Sequence, residues 1–168
     1  VLPDLTVEEN IRLAVPAAIL AADGDPRAAM RAMLAEVGAT AHLADRVEDL
    51  SVAQKHLLEI AKALAISPRL LILDEPTAPL GQESVELLFA LVRQAAAKGT
   101  AIVYITHRLA EVRELADRVT VLRDGKLRGT STVEAITDDE LLALIVGRQL
   151  DSTFPPKHVL TAESVTTL

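Results

Sequence analysis

The 168-residue chain contains no cysteine, which excludes disulfides and thiolate metal sites and fits a reducing compartment. Aromatic side chains are almost as scarce. Phe89, Tyr104 and Phe154 are the three, too few to build a platform on which nucleic-acid bases stack. Acidic residues outnumber basic ones, 24 against 17, for a formal charge of −7, whereas neutralising a phosphate backbone needs clustered Lys and Arg. No nucleic-acid partner is expected. No uninterrupted apolar run approaches the roughly 20 residues needed to cross a bilayer. Missing too is any glycine-rich loop of the form G-x-x-x-x-G-K-[ST], whose backbone N–H groups cradle nucleotide phosphates. What remains is half apolar, enough at this length to bury a sizeable core in a soluble globular piece.

Among what is present, the segment Leu70-Leu71-Ile72-Leu73-Asp74-Glu75-Pro76-Thr77 stands out. Four consecutive aliphatics suit a strand of a parallel sheet buried on both faces, and Pro76 ends the ladder because it has no N–H to donate. Asp74 and Glu75 then sit at the strand's exit, where open α/β sheets bind ligands. One carboxylate holding a metal beside another that activates water is an arrangement for phosphate-ester hydrolysis. Upstream, Leu50-Ser51-Val52-Ala53-Gln54 places Ser51 23 residues before Asp74. Downstream, a second apolar strand, Thr100 to Thr106, ends at His107, 32 residues after Glu75. Strand, helix and strand in this succession imply a parallel crossover, so Glu75 and His107 should leave the same edge of the sheet.

The remaining chain alternates caps and amphipathic runs. Thr6 and Glu9 form a capping box for a short helix running toward Pro16. Asp25 caps a helix with Pro26 at its first position, which carries Met30, Met33, Leu34 and Val37 on one face and stops at Gly38. Ala41 to Arg46 reads as one more short helix, with His42 solvated on it, before the loop Val47-Glu48-Asp49. Ser51 and Gln54 make an S-x-x-Q box opening a helix with Leu57, Ile60, Ala61 and Leu64 at helical spacing, closed by Ser67-Pro68. That helix start is either an ordinary cap or an anion site formed by free N–H groups and the Ser51 hydroxyl. Glu83 to Lys98 is a helix with Val85, Leu88, Phe89 and Val92 toward the sheet and Gly99 as its stop. His107 could simply cap the helix from Arg108 to Ala116. Asp124-Gly125 turns a hairpin between Arg118–Arg123 and Lys126–Thr130. Thr137 and Glu140 box a last helix ending at Gly147. Pro155-Pro156 marks a linker over 151–158, and Val159 to Val165 reads as a further strand.

In their order, the Ser51 segment, the Asp74-Glu75 strand and His107 resemble the signature motif, the Walker B motif with its catalytic glutamate, and the switch histidine of ATP-binding cassette (ABC) ATPases. "LTVEENI" over 5–11 resembles the start of that family's helical subdomain. "LSVAQ" followed by Glu59-Ile60-Ala61-Lys62-Ala63-Leu64, with "VGR" over 146–148, resembles carbohydrate importers of the ribose, galactose and xylose type that carry two cassettes in one chain. Val52 and Ala53 stand where the commonest signature has glycines, and β-branched Val52 should keep ordinary helical φ. Gly81 stands where the family's D-loop often has aspartate.

The resemblance implies an α/β fold, a partial P-loop NTPase with a parallel sheet core and an α-helical subdomain but without the phosphate loop. It implies a helical subdomain over 1–68, the latter part of the nucleotide-hydrolysing core over 69–150, and a linker with the start of a second cassette over 151–168. The expected substrate is ATP with Mg²⁺. Asp74 would hold the metal, Glu75 would accept the proton of attacking water, and His107 would sense the γ-phosphate. Ser51, Val52, Ala53 and Gln54 would serve nucleotide on an opposing cassette. Implied partners are that second cassette, membrane permease subunits and, indirectly, a periplasmic or extracellular sugar-binding protein, at the cytoplasmic face of the membrane. Without its phosphate loop this piece by itself should be inactive. Two other readings stay open at this point, a non-transport ABC ATPase and a non-catalytic partner-binding module.

Overall fold

The computed structural model describes residues 1–147. The linker and strand expected over 151–165, and Arg148 onward, lie outside the described residues. The chain divides into two compact units, Val1–Leu115 and a second beginning at Ala116.

The first unit opens with α1 (Val7–Ala14), whose Thr6–Glu9 capping box forms as the sequence dictates: the Thr6 hydroxyl accepts from the Glu9 N–H while the Glu9 carboxylate accepts from the Thr6 N–H. A single helical turn, α2 (Ala17–Leu20), follows Pro16 and was not signalled by any periodic pattern. Helix α3 (Pro26–Glu36) starts at Asp25, which accepts from Arg27 N–H. It is stopped by Gly38 at φ +70°, a conformation that costs glycine least.

Residues 41–46 are not helical, contrary to the pattern's suggestion. Two of their carbonyls, Asp45 and Leu43, bond to a distant segment by accepting Val7 and Glu8 N–H, the adjoining Val47 N–H reaches Leu5, and locally the Asp45 carboxylate takes His42 N–H at 2.7 Å. The following loop tightens into a 3₁₀ turn, Val47–Asp49.

Helix α4 (Val52–Ala65) is shared by two cores. Leu58 points into a cluster with Val7, Ile11, Leu20, Met30, Leu34 and Val47. Leu57, Ile60 and Ala61, on the adjoining face, pack with Leu71, Leu73, Leu88, Leu91 and Val92. This second core lies under β1 (Leu70–Asp74) and β2 (Ala101–Ile105), which pair in parallel with Asp74 opposite Ile105 and are joined by α5 (Gln82–Ala97). The expected mixed α/β fold with a parallel pair is present.

One expectation about this sheet is corrected. Only Leu71 and Leu73 are buried; Leu70 and Ile72 are 52% and 60% exposed, and Val103 and Ile105 on the neighbouring strand share that open face. The continuous aliphatic run is thus covered on one side by α4 and α5 and bare on the other among the described residues. A short helix, α6 (Leu109–Leu115), completes this unit.

In the second unit, β3 (Arg118–Arg123) and β4 (Lys126–Thr132) form an antiparallel hairpin. Its turn residues Asp124 and Gly125 both have positive φ, 54° and 68°, as a two-residue type I′ turn requires. Helix α7 (Asp138–Val146) has the Thr137–Glu140 box and ends at Gly147 at φ +81°, where Arg123 Nη1 donates to the Leu144 carbonyl at 2.9 Å. No helix among the described residues is long and apolar enough to cross a membrane.

Candidate functional site at the ends of the parallel strands

The two parallel strands end side by side, so whatever follows them is brought to one rim. After β1 the chain does not run straight on. Glu75 adopts φ +46°, costing a non-glycine residue about 1–2 kcal/mol, and its N–H is held by the Ile105 carbonyl at 2.9 Å. This kink lifts the Glu75 carboxylate out of the strand direction and toward the end of β2. There Glu75 Oε1 meets His107 Nδ1 at 2.8 Å. An ionised carboxylate can only accept, so the contact fixes the imidazole with its proton on Nδ1 and leaves Nε2 for a ligand or water. The His107 side chain is 78% exposed and that of Glu75 36%, a pair open to solvent on one side and anchored on the other.

Asp74 is the last residue of β1 and projects from the exposed face with Leu70 and Ile72. A lone accessible carboxylate beside Glu75 suits Mg²⁺, which takes one or two protein carboxylates and fills its remaining octahedral positions with water and phosphate oxygens. It does not suit a metal that wants an all-protein cage, and no cluster of three or more ligating side chains occurs among the described residues.

The Ser51 segment stands apart from this rim. Ser51 is the N-cap of α4, its hydroxyl accepting from Gln54 N–H at 3.2 Å, and Val52 is helical and 71% exposed. The expected reciprocal half of the box is absent. Gln54 Oε1 instead accepts from Thr40 N–H at 2.9 Å and Ala41 N–H at 3.3 Å. No hydrogen bond or ion pair joins Ser51, Val52, Ala53 or Gln54 to Asp74, Glu75 or His107 among the described residues.

Beneath the rim lies a carboxylate that sequence reasoning missed. Glu111 on α6 is 4% exposed, and its two oxygens take Thr77 Oγ1 at 2.6 Å, Thr106 Oγ1 at 2.8 Å, Tyr104 OH at 3.2 Å and Arg108 Nη1 at 3.3 Å. Burial by itself pushes its pKa up, but the hydrogen bonds from Thr77, Thr106, Arg108 and Tyr104 together outweigh that and hold it below the usual value. Burial and the adjacent Glu111 charge push the Tyr104 phenol upward, so it stays a donor. The signal available in the sequence was only a glutamate four residues after His107, on a helix face otherwise unremarkable.

Three comparisons bear on this arrangement. Residues 1–78 match the family model described as ABC transporter. The chain is 46% identical over 155 residues to the ribose import ATP-binding protein RbsA 1 of Streptomyces avermitilis, covering 91% of this chain and 30% of that protein. It is 44% identical over 138 residues to the ribose import ATP-binding protein RbsA 2 of Burkholderia cenocepacia, covering 82% of this chain and 27% of the relative. A putative ribose/galactose/methyl galactoside import ATP-binding protein of Agrobacterium fabrum is 42% identical over 158 residues, 91% of this chain and 31% of the relative. The chain therefore spans a little under a third of the length of these curated relatives. Among solved structures, an ATP-binding subunit of an ABC transporter superposes with a TM-score of 0.69 at 26% identity, over 90% of this chain and 61% of the other. An ATP-binding cassette in a post-hydrolysis dimer with ADP and Pi gives a TM-score of 0.64 at 24% identity, over 79% and 58% of the two chains.

Proposed function

Because the chain belongs to the ABC transporter family of ATP-binding proteins, we propose that it is the catalytic-carboxylate and signature portion of an ATPase that powers import of a sugar. The observation that carries the hydrolytic part is the 2.8 Å contact between Glu75 and His107 at the ends of two parallel strands. The names of the relatives support the sugar, ribose and its kin before others.

In this reading Glu75 takes the proton from a water that attacks the γ-phosphorus, a role that needs an accessible carboxylate within hydrogen-bond reach of the water. His107, held by its Nδ1 proton on Glu75, presents Nε2 toward the γ-phosphate and keeps the water in line. Asp74 would hold Mg²⁺, which when bound neutralises phosphate charge. The start of α4 would offer the Ser51 hydroxyl and its first N–H groups, with Val52 exposed and Ala53 half-buried, to a nucleotide on an opposing cassette. Gln54 contributes by bracing the 40–41 loop rather than by reaching outward. The partners are then a second cassette, membrane permease subunits and, through them, a sugar-binding protein outside. The protein would work at the cytoplasmic face of the membrane, with residues 1–68 moving as nucleotide binds and leaves.

With no phosphate loop in its sequence, the 168-residue chain by itself should not turn over ATP. In the full-length ATPase, Glu75→Gln should abolish most phosphate release while preserving nucleotide binding. Turnover unchanged by that substitution would remove Glu75 from the mechanism.

A further inference from the structure

We propose that Glu111 is a positioning residue for the Glu75–His107 pair, clamping the turn that follows β1 to the turn that follows β2. The inference rests on the ATPase reading of that pair. A carboxylate is almost never buried unless its charge is matched by donors, and here all the donors come from the two turns or the strand leading into one of them. Thr77 lies two residues past Glu75 and gives the shortest bond, at 2.6 Å. Thr106 and Arg108 flank His107 on either side, and Tyr104 is three residues before it. Thr106 Oγ1 also accepts from Arg108 N–H at 3.1 Å, closing the turn that carries His107.

The strained backbone at Glu75 gives the clamp its purpose. A residue at φ +46° stays there only when its surroundings over-determine it. On one side Glu75 is tied by its own N–H to Ile105; on the other, Pro76 and Thr77 are buried, and the Thr77 hydroxyl is fixed by Glu111. Releasing Thr77 lets the turn relax and carries the Glu75 carboxylate away from His107, although Glu111 itself touches neither. An anchor that only held α6 in place would instead lower stability and leave the pair's geometry intact in the molecules that remain folded.

The test uses Thr77→Val, Thr77→Ser and Glu111→Gln. In the full-length ATPase, Thr77→Val and Glu111→Gln should lower kcat about tenfold to a hundredfold with the KM for ATP shifted less than about twofold, as loss of positioning predicts. Thr77→Ser, which keeps the hydroxyl, should restore most of kcat. In long-range ¹H–¹⁵N spectra of the His107 imidazole, the Nδ1 signal of Thr77→Val should move toward that of Glu75→Gln. The proposal is overturned if kcat per folded molecule is unchanged in Thr77→Val, or if the His107 signals of the folded population match the wild type. Should Glu111→Gln fail to fold, Thr77→Val alone decides. A wild-type protein without ATPase activity would count against the proposed function, while the imidazole spectra would still test the clamp.

Discussion

Glu75 Oε1 and His107 Nδ1 lie 2.8 Å apart although 32 residues separate them in the chain, and the pair exists because β1 and β2 are parallel and in register up to Asp74 and Ile105. In a parallel pair both strand ends fall on the same rim, so two functional groups need only follow their strands to meet. In the full-length protein the proposed base role predicts that Glu75→Gln reduces steady-state phosphate release by about a hundredfold or more, within the range of general-base loss. His107→Ala should also reduce it, and the double variant should lose little beyond the worse single variant, because in the proposed mechanism the two act on one water. Multiplicative losses in the double variant, measured by phosphate release at saturating ATP, would show that they act independently.

Much of this was legible because the informative residues obey local rules. Thr6 and Glu9, Asp25 and Pro26, Thr137 and Glu140 and the Asp124-Gly125 turn each specify a backbone geometry by chemistry within four residues, and each formed. The readings that failed depended on distant partners. Residues 41–46 carry a helix-compatible pattern, yet their backbone bonds to Val7 and Glu8, with that of the adjoining Val47 to Leu5, were worth more than a single isolated turn. Gln54 likewise turned to distant donors, the Thr40 and Ala41 N–H groups, which no pattern near Ser51 marks. Glu111 was invisible because no periodicity marks a buried acid whose donors come from Thr77, far away in the chain, and from the stretch 104–108.

The acid sensitivity of the fold should trace in part to Glu111. Its folded pKa lies below the ordinary 4.5, so its contribution is fully present above that value and is lost as pH falls through the lower folded one. Denaturant midpoints measured from about pH 6 to pH 3 should therefore drop on the acid side. Glu111→Gln should begin with a lower midpoint near neutrality and decline less steeply. An equally steep decline would assign the acid lability to other carboxylates, such as the capping residues Glu9 and Glu140, whose values are likewise lowered, by the backbone and side-chain hydrogen bonds of Thr6 and Thr137.

Gly81 is the N-cap of α5 with φ −77° and contributes no side-chain acceptor to the helix start. A Cβ built there meets nothing within 4 Å, so aspartate fits without strain. Gly81→Asp should stabilise the chain by about 0.5 kcal/mol through a capping bond and favourable charge at the helix N-terminus. Equilibrium denaturation with unchanged slope would report this; a fall in stability would mean that the loop from Ala78 to Gly81 changes conformation on substitution.

Leu58 is fully buried on α4, the helix shared by both cores of the first unit, and the cluster around it joins α1, α2 and α3 to that helix. Leu58→Ala removes buried methyl groups and leaves a cavity, at a cost of about 2–5 kcal/mol. Val52→Ala on the same helix, at a position 71% exposed, should change stability by less than about 0.5 kcal/mol. Comparable losses at the two positions would contradict the packing described for α4.

The bare side of the parallel pair supplies the last expectation. Leu70, Ile72, Val103 and Ile105 are between 45% and 60% exposed on one contiguous face, although four aliphatics in a row are characteristic of strands covered on both sides. An apolar sheet face of this kind associates with whatever apolar surface it meets. The isolated 168-residue chain should therefore bind a hydrophobic dye strongly and sediment as a mixture of species whose average mass rises with concentration. Ile72→Thr with Val103→Thr keeps β-branched strand formers while making the face more polar, and should shift the distribution toward monomer. A wild-type chain that remains a single monomeric species with little dye binding, even at high concentration, would mean that this face is covered within the chain.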